Sequence, residues 1–170
     1  DYKLGDTIDE QNPNIIKKSS HVVLPGQGAF NSCMDGLLLI PGMIEELNRF
    51  AIEEKKPFLG ICVGMQLLAT DSEENGIHKG LGWIDGHIKK LPSKNIKMPH
   101  MGWNTINIKN RKKTKIKPKE TDYYFVHSYY FDCEKKENIL AETLYGINFT
   151  SIVNKENIYG VQFHPEKSST

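Results

Sequence analysis

The chain has 170 residues, the length of one ordinary domain and enough for a hydrophobic core. Lysine and arginine number 22 against 21 aspartate and glutamate, so no net field favours nucleic acid or an anionic membrane surface. Three widely spaced cysteines give no sign of a zinc knuckle or redox dithiol, and no apolar run reaches the roughly 20 residues of a membrane span. We therefore expect one soluble, cytoplasmic domain.

The first half of the chain alternates between strand and helix patterns. Residues 21–24 form a short apolar run stopped by the glycine-rich residues 25–28, which predicts a buried strand ending in a tight turn. Residues 44–56 have apolar side chains at three- and four-residue steps, typical of an amphipathic helix. Residues 58–61 predict a second buried strand and residues 63–70 a second helix. This order favours an α/β fold with a largely parallel sheet.

The second half is richer in short aromatic or β-branched segments. Strands are predicted near residues 86–88, 105–108, 123–127 and 158–163. Between them, the strongly basic run 109–119 carries no aromatic side chains, so we interpret it as a solvated loop rather than a nucleic-acid site. The polar residues 1–14 are predicted to be a loop.

Cys62 lies between two glycines where the second predicted strand meets the second predicted helix, in the pattern Gly60-x-Cys62-x-Gly64. This is the thiol form of the nucleophile elbow, a strained turn in which side chains two residues away would collide. The following helix would lower the pKa of the thiol, and the Val63 N–H would face an oxyanion. A buried structural cysteine at a strand end explains the pattern equally well, so the elbow alone leaves both interpretations open.

A nucleophilic cysteine needs a base, and His164 has the most suggestive neighbours of the six histidines. In an extended segment His164 and Glu166 project to the same side, and Pro165 restricts the backbone between them. The carboxylate would then orient the imidazole, as the acid of a catalytic triad does. A surface His-x-Glu sequence without a role is the alternative. Cys33 and Cys133 lack flanking glycines, so we expect structural roles for both.

Five stretches together resemble the class I, triad-type glutamine amidotransferases. They are LPGQGAF at 24–30, GICVGMQLL at 60–68, PHMGWN at 99–104, YYFVHSYY at 123–130 and YGVQFHPEKSS at 159–169. Within that family they are most similar to the glutaminase subunit of imidazole glycerol phosphate synthase, which acts in histidine biosynthesis. The resemblance implies a single domain over residues 1–170, built as a flavodoxin-like three-layer α/β sandwich. Its central sheet would be mostly parallel, with an antiparallel extension in the second half.

The resemblance also implies a mechanism and a set of site residues. The Cys62 thiolate would attack the side-chain amide of L-glutamine, His164 would protonate the departing ammonia, and Glu166 would orient His164. Water would then hydrolyse the thioester. The backbone amides of Val63 and Gln27 would bind the oxyanion. The other positions that match glutamine-binding residues of the family are Gly26, Gly28, Gln66, His127, Ser128 and Tyr129. No cofactor or metal is implied.

A partner is implied in the same way. Members of the family pass ammonia to a separate cyclase subunit, a (β/α)8 barrel, so we expect a heterodimer with that subunit and no nucleic-acid or membrane partner. The positions that match the surface facing the barrel are Met101, Trp103, Asn104 and Lys167. Without the resemblance, Trp103 is equally a core residue, Gln66 an exposed helix residue and Tyr129 ordinary packing.

The chain departs from the family pattern at three places. Asp1-Tyr2 continues into Lys3 without the usual preceding strand, and the chain ends at Thr170 before the usual closing helix, so we expect a domain lacking those two elements. Gln27 replaces a small apolar residue, which a backbone donor tolerates. The alternative functions are a glutaminase serving a sugar-modifying cyclase homologue, a cysteine peptidase or γ-glutamyl hydrolase on the same fold, and an inactive fragment.

Overall fold

A computed structural model of the chain describes residues 12–94, 96–109 and 122–167. Most of the predicted N-terminal loop and almost all of the basic run 109–119 lie outside these residues. The helices are α1 Pro13–Lys18, α2 Phe30–Leu38, α3 Met43–Asn48 and α4 Val63–Gln66, with a π-helical turn Arg49–Glu53 and 3₁₀ turns Lys136–Asn138 and Pro165–Lys167. The strands are β1 Val22–Gly26, β2 Phe58–Cys62, β3 Asp71–Ser72, β4 His78–Lys79, β5 Gly86–Lys90, β6 His100–Thr105, β7 Asn107–Ile108, β8 Asp122–His127, β9 Tyr129–Cys133, β10 Ile139–Tyr145, β11 Ile147–Lys155 and β12 Ile158–Val161.

Ten of the described strands form one mixed sheet, in the order β1-β2-β12-β11-β9-β5-β3-β4, and β10 and β7 continue from β11. Strands β1, β2 and β12 are parallel neighbours, whereas β12, β11, β9 and β5 are joined by antiparallel pairing. Strands β6 and β8 form a separate antiparallel ribbon. The second half of the chain thus supplies the predicted antiparallel strands, and the parallel part of the sheet surrounds β2.

The sheet is covered on both faces. Successive side chains of a strand point to opposite faces, so β2 contributes to two cores. Phe58 and Cys62 pack with side chains from α2, α3 and α4, whereas Leu59 packs with side chains from the β6–β8 ribbon and β11. Helices, sheet and ribbon therefore form three layers, and each fully buried large side chain in these cores contributes about 1.5–3 kcal/mol.

The predicted helix over residues 44–56 is confirmed by α3 and the π-helical turn that continues it. The predicted helix over residues 63–70 is wrong in length, because α4 ends at Gln66. The carbonyl groups of Leu67, Leu68 and Ala69 accept N–H groups from residues 81–84 instead of continuing the helical pattern. Helix α2 and strands β3, β4, β9, β10 and β11 were not predicted, and α1 begins at Pro13, inside the residues predicted to be a loop. None of the helices in the described part of the chain combines the length and apolarity needed to cross a membrane.

The turn from β2 into α4 passes very close to β1. A Cβ atom added at Gly64 would lie 1.8 Å from the Leu24 carbonyl oxygen, and one added at Gly60 would lie 2.5 Å from the Gly64 carbonyl oxygen. Real Cβ atoms do not approach backbone atoms this closely. The predicted need for clearance at both glycines is therefore confirmed.

We expect Gly64→Ala to lower the free energy of unfolding by about 3 kcal/mol or more, because the new methyl group would overlap the Leu24 carbonyl group and the backbone of β1 must move away. Gly36→Ala is the matched control, since Gly36 lies on the exposed side of α2 with nothing within 4 Å of an added Cβ. It should raise stability by about 0.5–1 kcal/mol. Urea denaturation measures both changes. Equal stability of the two variants would contradict the steric argument.

Candidate active site

Cys62 occupies a strained position at the edge of the parallel strands. It is the last residue of β2, α4 begins at Val63, and the Cys62 backbone has φ 55° and ψ −113°. A residue with a side chain rarely adopts a positive φ, and such strain costs on the order of 1–3 kcal/mol. Ligands of open α/β sheets bind outside the carboxyl ends of the strands, which is where the Cys62 side chain lies.

The surroundings of Cys62 do not lower the pKa of the thiol. The pKa of the thiol is raised to about 11: burial is the largest cause, the hydrogen bond from Val63 N–H opposes it, and the negative charge of Glu166 adds to it. The expectation of a lowered pKa is therefore wrong for this conformation, because α4 is a single turn and the loss of hydration outweighs its dipole. The cysteine is a neutral thiol at pH 7, and a base must remove its proton.

His164 and Glu166 are arranged as a base and its orienting acid. His164 Nδ1 lies 2.8 Å from Glu166 Oε1, and because a carboxylate only accepts, Nδ1 carries the proton. Nε2 is then the basic nitrogen. It is buried and has no hydrogen-bond partner among the described residues. The His164 backbone N–H donates to the Tyr124 carbonyl at 2.9 Å, which fixes this segment against β8.

Cys62 and His164 line the same pocket, which has a volume of about 390 Å³. The walls come from the end of β1, the start of α4, the β3–β4 turn, the end of β8, the start of β9, and the segment after β12. The lining residues are Gly26, Gln27, Gly28, Cys62, Val63, Gln66, Glu74, Pro99, Val126, His127, Ser128, Tyr129, His164 and Lys167. A thiol and an unpartnered imidazole nitrogen facing one pocket are the groups that nucleophilic acyl transfer requires.

Comparison with known proteins decides the family. The sequence model of the class I glutamine amidotransferase family matches residues 5–170. The chain belongs to the class I glutamine amidotransferases. An imidazole glycerol phosphate synthase subunit HisH from Pelagibacter ubique is 51% identical over 91% of this chain and 76% of its own length. A HisH subunit from Zymomonas mobilis is 48% identical over 94% of this chain and 75% of its own length.

Solved structures show the same fold at low sequence identity. A crystal structure of a glutamine amidotransferase superposes with a TM-score of 0.67 at 16% identity, covering 92% of this chain and 76% of that one. The glutaminase domain of Trypanosoma brucei CTPS with bound acivicin has a TM-score of 0.63 at 20% identity. The match covers 93% of this chain and 67% of that one. The predicted α/β fold of this amidotransferase class is thereby confirmed.

The pocket brings together all six residues predicted to bind glutamine, which are Gly26, Gly28, Gln66, His127, Ser128 and Tyr129. The predicted interpretation of Gln66 as an exposed helix residue is wrong, since the side chain is 3% exposed. Gln66 Nε2 donates to the Tyr129 carbonyl and to Gln162 Oε1, both at 3.0 Å. The His127 ring is also buried, and its Nδ1 donates to the Tyr129 carbonyl at 2.8 Å. These side chains hold the pocket wall in place.

Three of the four residues predicted to face a partner lie outside the pocket lining. Trp103 and Met101 on β6 are 53% and 61% exposed, so the interpretation of Trp103 as a core residue is wrong. Trp103 packs edge-on against Tyr124, and the Lys167 ammonium lies 4.9 Å from the centre of the Tyr124 ring. Asn104 differs from them, because its amide is directed inward to His100 and to the Leu144 carbonyl.

Two residues at the site were missed by sequence reasoning. Glu74 lines the pocket, and its Oε2 accepts the Phe30 N–H at 2.8 Å. Gln162 is fully buried, and its Nε2 lies 3.8 Å from Cys62 Sγ. Neither has a distinctive local pattern, although Gln162 falls within the VQFHPE stretch. Among the described residues no group of three or more potential ligands could hold a metal ion.

Proposed function

We propose that this chain is the glutaminase subunit of an imidazole glycerol phosphate synthase and that Cys62, His164 and Glu166 are its catalytic triad. The observation that carries the proposal is the single pocket shared by the Cys62 thiol and the unpartnered Nε2 of His164, whose other nitrogen is held by Glu166. The HisH relatives support the pathway.

The first half-reaction forms a thioester and releases ammonia. His164 Nε2 takes the Cys62 proton, and the thiolate attacks the side-chain carbonyl carbon of L-glutamine. The N–H groups of Val63 and Gln27 stabilise the negative oxygen of the tetrahedral intermediate. The imidazolium then gives its proton to the nitrogen as the C–N bond breaks, and the Glu166 carboxylate stabilises the imidazolium while it exists. The thiol pKa of about 11 makes this base necessary.

The second half-reaction regenerates the thiol. Water attacks the glutamyl thioester while His164 accepts one of its protons, and the C–S bond breaks to give glutamate. The returned proton restores neutral Cys62 and neutral His164. Atoms and charge balance over the two steps: glutamine and water are consumed, and glutamate, ammonia and one proton are formed. Each step uses only side chains and backbone amides of this chain.

Glu74 supplies the charge that recognises the amino-acid end of the substrate. It is the only carboxylate among the described pocket-lining residues, and its second oxygen already accepts the Phe30 N–H. An α-ammonium group bound there would form a charge-assisted hydrogen bond. The Gln66 amide nitrogen already donates to two oxygens, so its carbonyl oxygen is the group left to accept a second ammonium N–H.

The surface formed by Met101, Trp103, Tyr124 and Lys167, called the β6 surface below, is the proposed contact for the cyclase subunit. It contains an exposed indole and an exposed thioether, side chains that are enriched at protein interfaces, and the Lys167 ammonium lies beside them at the Tyr124 ring. Lys167 also lines the pocket, so this surface reaches the active site. Ammonia leaving Cys62 would then have only a short distance to a partner bound there.

The function is tested by the Cys62→Ala variant. Glutamate release from glutamine, measured with purified cyclase subunit and its nucleotide substrate present, should fall by at least about 10³-fold, because removing the nucleophile removes the covalent route. Circular dichroism checks that the variant is folded. Unchanged glutamate release in a folded variant, or cleavage of peptides in preference to glutamine by the wild type, would overturn the proposal.

The role of Glu74 is tested by Glu74→Gln, which keeps an acceptor for the Phe30 N–H but removes the charge. We expect KM for glutamine to rise about 10- to 100-fold, the size of a charged hydrogen bond, with kcat changed much less. Glu73→Gln is the control, since exposed Glu73 lies next in sequence and its Oε1 accepts the Lys90 N–H outside the pocket. Similar KM values for all three proteins would exclude an ammonium-binding role.

The β6 surface is tested by Trp103→Ala. If Trp103 is a central contact, its loss should weaken binding to the cyclase subunit by about 30-fold or more, as measured by isothermal titration calorimetry. Leu39→Ala is the control, because Leu39 is 81% exposed at the end of α2 and outside the β6 surface. Equal affinities of the two variants would place the interface elsewhere.

A further inference from the structure

A chain of buried side-chain hydrogen bonds begins at the Cys62 sulfur. Gln162 Nε2 lies 3.8 Å from Cys62 Sγ, and Gln162 Oε1 accepts from Gln66 Nε2 at 3.0 Å. Gln66 Nε2 also donates to the Tyr129 carbonyl at 3.0 Å. Gln162 is 0% exposed, so an amide group without hydrogen-bond partners at this position would lower the stability of the fold.

The direction of every hydrogen bond in this segment follows from the carbonyl group at its end. The Tyr129 oxygen only accepts, so the atom of Gln66 that faces it must be the nitrogen. The second hydrogen on that nitrogen points to Gln162, which must therefore present its oxygen. The Gln162 NH₂ group is then turned toward the sulfur. The Cys62 sulfur therefore faces an N–H donor, and the Tyr129 carbonyl fixes the orientation of that donor through Gln66.

The Tyr129 carbonyl also accepts from His127, and His127 is held in turn by His100. His127 Nδ1 donates to the carbonyl at 2.8 Å, which leaves His127 Nε2 as the acceptor for His100 Nδ1 at 2.9 Å. His100 Nε2 in turn accepts from Asn104 Nδ2 at 3.2 Å, and that nitrogen also donates to the Leu144 carbonyl at 3.1 Å. Burial lowers the pKa of His100 to about 4 and of His127 to about 3, so both rings are neutral at pH 7, as these bonds require.

We propose that Gln162 is a further catalytic residue, whose fixed amide N–H donates to the Cys62 sulfur and stabilises the thiolate. A thiolate is a far stronger acceptor than a thiol, so the bond gains strength when the proton leaves. The site is otherwise unfavourable to that charge, because the thiol is buried and the Glu166 carboxylate is near. Besides Val63 N–H, the Gln162 amide is the hydrogen bond among the described residues that favours the charged sulfur.

This proposal rests on the role of Cys62 as nucleophile, but it can be tested without glutaminase activity. Gln162→Met removes the N–H at nearly constant side-chain volume. The rate of Cys62 alkylation by iodoacetamide, followed by mass spectrometry of the Cys62 peptide, is measured as a function of pH. The midpoint should move upward by about one unit, equivalent to a tenfold loss of thiolate at a given pH. In the assembled enzyme kcat should fall about tenfold, with KM for glutamine nearly unchanged.

A general loosening of the fold would not produce that shift, and Asn157→Ala serves as the control. Asn157 is a partly buried amide that donates to the Ala51 and Lys56 carbonyls, outside the hydrogen-bond chain. Its removal should lower stability and leave the alkylation midpoint in place. If Gln162→Met does not fold, Gln162→Leu takes its place.

An unshifted midpoint in a folded Gln162 variant would overturn the proposal, as would an equal shift in Asn157→Ala. Failure of the proposed function has a different signature. If a folded Cys62→Ala variant still releases glutamate, Cys62 is not the nucleophile and the proposed function fails, whatever the alkylation profile of the Gln162 variants.

Discussion

The close contact between the end of β1 and the start of α4 is the constraint on which the active site depends. Gly64 lies against the Leu24 carbonyl, and a Cβ atom at Gly26 would come within 2.8 Å of the Val63 Cβ atom. This approach forces the sharp bend at Cys62 and brings the glycine-rich loop beside the Val63 amide. The two proposed oxyanion donors, Val63 and Gln27, therefore come from the same contact that strains the nucleophile. In addition, the Cys33 thiol donates to the Gln27 carbonyl at 3.4 Å and holds that loop from α2.

Burial sets the chemical state of this site. A thiol with a pKa near 11 is unreactive until a base acts on it, and the basic nitrogen of His164 has no partner among the described residues. The protein thus keeps nucleophile and base in one pocket without a hydrogen bond between them. Formation of the thiolate needs both proton transfer to His164 and donors for the new charge. Such a site is suited to activation by a bound substrate, whose arrival changes the surroundings of the sulfur.

The sequence was informative where the cause of structure is local. The Gly60-x-Cys62-x-Gly64 pattern and the His164–Glu166 spacing specify a bend and a side-chain pairing within a few residues, and both are present. Glu74 and the pairing of Gln162 with Gln66 could not be predicted, because 96 residues separate the two glutamines and the sheet order brings them together. The helix predicted to reach residue 70 ends early for a similar reason. The carbonyl groups of residues 67–69 accept N–H groups from residues 81–84 instead of from the next helical turn. Local periodicity does not indicate such bonds.

The β6–β8 ribbon connects the pocket wall, the exposed indole of Trp103 and the segment of His164. It pairs His100 with His127 and Trp103 with Tyr124, so its two ends carry the pocket wall and the exposed indole. Tyr124 also accepts the His164 N–H, which attaches the base to the same ribbon. The ribbon is a separate two-stranded sheet. Among the described residues it shares one backbone bridge with the segment after β12, between Tyr124 and His164, and it is otherwise held by side-chain packing and by side-chain hydrogen bonds such as that from Asn104 to the Leu144 carbonyl. Trp103 packs against Tyr124, whose carbonyl group accepts the His164 N–H, so the exposed indole of the β6 surface and the proposed base are both attached to one residue of β8.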